Sequence, residues 1–179
     1  MHKVEVSEEL PLVGSYNMID LRYCVPAAFC ASAALAANGL TDWAQSGDWS
    51  ILVDPGRGNG CLIQKDFSDG IRIRFGNLPL QSGGFFAALS QEWTDLEPGT
   101  TGTVRFLTDE AKFAGEVETI EEDGWYGGSA FFNNPNLVTE IAKRRSIAVV
   151  GPRGGTFEVD LAGSSKAIDL MEECQKEQE

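Results

Sequence analysis

IRIRF, residues 71–75, alternates strictly between apolar and basic side chains. A period of two marks a strand with one buried and one wet face, because successive side chains point to opposite sides of a sheet. Ile71, Ile73 and Phe75 are therefore assigned to a core, and Arg72 and Arg74 to solvent. The same reading extends outward. SDG (68–70) is a turn signal, CLIQKD (61–66) a strand, PGRGNG (55–60) a turn and WSILVD (49–54) another strand. Downstream, FFAAL (85–89) is a short apolar strand and EPGT (97–100) a turn. TVRFL (103–107) and FAGEVETI (113–120) alternate again, with Glu116 and Glu118 outward. EEDG (121–124) closes that strand and WYGGSAFF (125–132) continues extended.

Helical signals come only afterwards. Asn134 and Pro135 cap and start a helix with Leu137, Val138, Ile141 and Ala142 on one face, and Lys143, Arg144 and Arg145 at its carbonyl end. Residues 147–150 and 156–161 form two strands around GPRGG. GSS (163–165) then opens a second helix, with Ala167, Leu170, Met171 and Cys174 at helical spacing, and a frayed polar tail follows over residues 175–179. The layout predicts a mainly β domain over residues 37–179, a β-sandwich or open barrel with two short helices, the second C-terminal.

Composition narrows function. The 179 residues carry a formal net charge of −13. Such a chain repels phosphate backbones and anionic lipid surfaces, so nucleic acid is not expected as a partner. MIDLRYCVPAAFCASAALAANG (18–39) has a basic residue, Arg22, before a long uncharged run and then Ala34-Leu35-Ala36, a small-x-small pattern. That order is the one a secretory signal peptide needs, and the run is too short for a stable membrane span. Residues 18–36 are therefore predicted to be a signal peptide cut after Ala36, the alternative being a buried helix or an anchor, with Pro26 early in such a helix and Asn38-Gly39 ending it. The acidic residues 1–17 before Met18 read as an upstream extension, with translation starting at Met18.

That leader sorts the cysteines. Cys24 and Cys30 lie within it, leaving Cys61 and Cys174. In an oxidising periplasmic or secreted setting an even pair reads as a disulfide, here tying the start of the domain to its last helix; the alternative is two buried thiols. The only histidine, His2, lies in the extension. A mature chain without histidine has no Ser-His-Asp or Cys-His catalysis and no ordinary zinc site. No residues are assigned to catalysis, a metal or a cofactor.

DWSILVDPGRGNGC (48–61) and FEVDLAGSSKAIDLMEEC (157–174), after a signal-like start, resemble the invasion-associated locus B family and related exported proteobacterial proteins. Between the two stretches the similarity is one of order and length. The resemblance implies a secreted or periplasmic β-sandwich-like domain and brings no active-site motif.

Other constellations have plain readings. GRGNG (56–60) leads into a strand, so it is a hairpin turn and not a phosphate cradle. EEDG lacks the alternating oxygen ligands of a calcium loop. Trp93, Trp125 and Tyr126 are the candidate binding aromatics, because tryptophan or tyrosine beside glycine or in a polar segment can stack on sugars or anchor a partner. The predicted function is a non-enzymatic module binding an envelope protein or glycan. Carboxylate-based glycoside hydrolysis and a purely structural envelope role are the alternatives. Hydrolysis would require a deep cleft with two facing acids.

Overall fold

A computed structural model of the protein describes residues 39–79, 83–108, 112–134 and 137–179. The predicted extension and signal peptide, with Cys24 and Cys30, lie outside these residues, as does Pro135. The strands are β1 (Thr41–Ser46), β2 (Trp49–Asp54), β3 (Gly60–Asp66), β4 (Ile71–Asn77), β5 (Gly84–Ser90), β6 (Thr101–Leu107), β7 (Lys112–Glu122), β8 (Trp125–Phe132), β9 (Ser146–Val150) and β10 (Thr156–Asp160). The helices are α1 (Leu137–Ala142) and α2 (Ser164–Gln178).

All ten strands join one antiparallel sheet in the order β1-β2-β3-β4-β5-β8-β7-β6-β9-β10, and its two edges are not hydrogen-bonded to each other. The chain is thus mainly β with a C-terminal helix, as its alternation and turn signals predict. The ladder is one unclosed sheet, and it does not divide into two hydrogen-bonded halves.

The inner face of the sheet curls around a continuous core. Phe86 of β5 and Phe106 of β6 stand three strands apart in the ladder, about 14 Å on a flat sheet. Their ring centroids are nevertheless 5.0 Å apart, in a series running from Trp49 through Phe75 and Phe86 to Phe106 and Phe132. At the far side, the buried Trp49 of β2 donates its indole N–H to the Ala162 carbonyl, just past β10, at 3.0 Å. The two ends of the sheet meet there through a side chain, not through a strand pair. Helix α2 packs on β1, β2 and β3, and α1 packs on α2 and β4. Ala167, Ile168, Met171 and Cys174 form the buried stripe of α2, and Leu137, Val138 and Ile141 that of α1.

Cys61 of β3 and Cys174 of α2 form a disulfide, with 6.1 Å between Cα atoms and 113 residues between them in sequence. The residues after Cys174 are not frayed: α2 runs to Gln178. The Gln175 side chain accepts from the Cys61 backbone N–H at 3.0 Å, and Glu177 accepts from the Trp43 indole at 3.0 Å. Long-range partners hold this polar tail, and local composition carries no sign of them.

Strand β1 was not predicted. Its ladder with β2 has a bulge between Asp42 and Ala44, which interrupts the period of two over TDWAQS. Lys143 pairs with Glu140 at 2.6 Å, an exposed contact within one turn.

Candidate functional site

The outer face of the sheet is where the structure departs most from the alternation. Arg72 and Arg74 do sit opposite Ile73 and Phe75 across the strand, but they are not on a wet face: their side chains are only 18% and 13% exposed. The cause is the β7–β8 hairpin. Its tip is the two-residue turn Asp123-Gly124, both with positive φ (51° and 79°), the conformation that suits a tight hairpin. Arg74 is in register with Ala87, Ser129 and Glu118, and Glu122 lies four residues further along β7. On a flat sheet Arg74 and Glu122 would be about 14 Å apart sideways and about 13 Å along the strands. Arg74 nonetheless makes a short ion pair with Glu122. The hairpin tip therefore curls back across the outer face of β3–β5.

Gly127 marks the close approach. A Cβ there would lie 1.9 Å from the Ala88 carbonyl oxygen and 2.8 Å from the Leu89 Cα, so no side chain fits. Under the tip, Leu52, Leu62, Phe85 and Ala87 form a second apolar cluster, joined by Leu40 and Leu78. This also explains why every residue of β5, GFFAALS, is buried: α1 covers one face near Gly84 and the hairpin covers the other.

Polar groups fasten the tip. Asp54 caps the single 3-10 turn Pro55–Arg57, accepting from the Arg57 backbone N–H at 3.2 Å, and its other oxygen lies 3.5 Å from the Arg57 guanidinium. Arg57 in turn reaches Glu122 at 3.5 Å and lies over the Phe85 ring, 4.9 Å from its centroid. Arg74 also donates to Gln64 at 2.7 Å. Arg72 donates twice to Asp66, both at 2.7 Å, and lies 3.9 Å from the Trp125 ring centroid. Burial pulls the Arg74 pKa down from its ordinary value and the Glu122 carboxylate opposes that pull; arginine remains a cation throughout the physiological range. The two arginines and two carboxylates (Arg57, Arg74, Asp54 and Glu122) balance, so this end of the face has no excess charge.

Beside the fastened tip a groove of about 410 Å³ opens to solvent, lined by Gly56, Arg57, Leu78, Phe85, Glu118, Ile120, Ser129 and Phe131. Phe131 is 41% exposed, at the groove's edge. Its neighbour Phe132 is buried in the inner core. Consecutive strand residues face opposite ways, so in the pair FF at 131–132 one ring had to point outward; that signal was present in the sequence.

The three predicted aromatics are all half-buried, and none lines this groove. Trp93 packs on the inner core, 5.9 Å from the Phe157 ring of β10. Trp125 lies on the outer face against Arg72, and Tyr126 points to the other side of β8.

Among the described residues, Asp95 and Glu140 are carboxyls displaced from their ordinary pKa values. Both are held low by hydrogen bonds and charge from Arg153 and Lys143, and neither lines the groove. Among the described residues no group of three or more His, Cys, Asp or Glu could hold a metal ion, and no helix is long and apolar enough to cross a membrane.

The class of protein thus defined is an antiparallel β domain, cross-linked from sheet to C-terminal helix, with an open, largely apolar groove on its outer face. Comparison of the chain with protein-family models, with curated proteins and with solved structures returned no match.

Proposed function

We propose that this domain is exported, loses its leader after Ala36 and acts outside the cytoplasm as a non-enzymatic module, binding an envelope component through its outer face. Kinship with the invasion-associated locus B family belongs to the same reading. The observation that carries it is the groove between Phe85 and Phe131, with apolar side chains in its lining, an exposed aromatic at its edge and a small number of polar groups, as partner sites have. The disulfide supports the compartment, since such bonds persist where thiols are not kept reduced. The groove is open rather than deep, and Glu118 is the one acid lining it, which supports binding over carboxylate hydrolysis.

Two measurements test this. Mass spectrometry of the native protein is expected to find Ala37 at the N-terminus; an intact Met1 on exported protein refutes the leader. Capture from envelope extract is expected to fall roughly tenfold or more with Phe131→Ser, the loss typical of an aromatic anchor. A partner set and yield unchanged by that substitution would remove the groove from the function.

A further inference from the structure

The groove carries information about what fills it. Glu116 and Glu118 are exposed on the outer side of β7. Continuing the β7–β8 register places Glu116 across from Phe131, with Glu118 one step further along and opposite Ser129. The exposed ring is therefore flanked by two carboxylates about 6.8 Å apart along the strand, the repeat of every second residue in an extended chain. The cation within the groove, Arg57, already faces Asp54 and Glu122. The other polar side chains of the lining are Glu118 and Ser129 alone, too few to satisfy the hydroxyls of a glycan. A net charge of −13 adds a long-range field that attracts cations.

From this charge complementarity we propose that the groove receives an extended, basic amphipathic segment of a partner protein. Its apolar side chains seat between Phe85, Ile120 and Phe131, and its alternate Lys or Arg residues meet Glu116 and Glu118. The proposal rests on the binding reading given above and deepens it by naming the partner's chemistry.

The test uses the full chain and three ten-residue peptides alternating leucine with lysine, with serine or with glutamate, followed by fluorescence anisotropy. The lysine peptide is expected to bind at least tenfold more tightly than the other two. Phe131→Ser, and separately Glu116→Gln with Glu118→Gln, are each expected to weaken it about tenfold. Glu158→Gln with Glu173→Gln, which removes as much charge from β10 and α2, is expected to change it less than twofold. If all acidic substitutions weaken binding equally, the attraction is only the net charge and the proposal fails. If the serine or glutamate peptide binds as well as the lysine peptide but still needs Phe131, the basic partner is wrong while the docking face stands. If no peptide binds at millimolar concentration, or a glycan fraction competes at Phe131 where the lysine peptide does not, the basic segment is overturned and the envelope capture decides the docking face.

Discussion

Replacing Cys174 with serine should lower the stability of the domain by about 4–5 kcal/mol, the largest effect expected from a single substitution here. The bond closes a loop with a sequence separation of 113, so in the chain-entropy account it removes much of the freedom of the unfolded chain. It also holds α2 on β3, and α2 supplies Ala167, Ile168 and Met171 to the core. Urea denaturation of wild type and variant, with and without reductant, measures this. Wild type in reductant should match the variant, and reductant should leave the variant unchanged. For a domain of this size the loss corresponds to about 10–15 °C in Tm. A loss under about 1 kcal/mol would mean that packing alone seats α2, and the cross-link would then count for little in the fold.

Trp49→Ala is expected to cost about 4 kcal/mol, in the range for a buried aromatic truncated to alanine. The site has no slack. Trp49 is fully buried, meets the Phe75 ring edge-on at 5.4 Å, and is the point where β2 touches the chain after β10. Trp49→Phe separates packing from the hydrogen bond: it keeps a ring but leaves the Ala162 carbonyl without the indole donor, at about 1–2 kcal/mol. Urea midpoints at constant slope give both values. If alanine cost no more than phenylalanine, the ends of the curled sheet would be held together by something other than this side chain.

Much of the ladder was legible because its causes are local. β2, β3 and β4 lie between Gly, Pro and Asp turns, and the apolar spacing of Ala167, Met171 and Cys174 marks α2. The Cys61–Cys174 bond agrees with the expectation from parity, which took residues 18–36 as a leader. The groove was not legible to the same degree. Trp93, Trp125 and Tyr126 drew attention as residue types, yet among the described residues Phe131 is the exposed aromatic, and its exposure depends on where the β7–β8 hairpin goes. Fully buried β5 has no period at all, because both of its faces are covered by distant segments.

The sequence by itself determined that this is a β-rich chain with a C-terminal amphipathic helix, and which residues form the two sides of the alternating strands such as β4 and β7. These follow from backbone alternation and turn chemistry acting within a few residues. Only the tertiary structure decided that the side bearing Arg72 and Arg74 is covered, and that an apolar groove is left open beside the cover. Alternation separates two faces of a strand but does not say what lies over either. That is settled by a hairpin crossing three strands to place Glu122 on Arg74, a contact between residues 48 apart whose partners carry no local mark of each other.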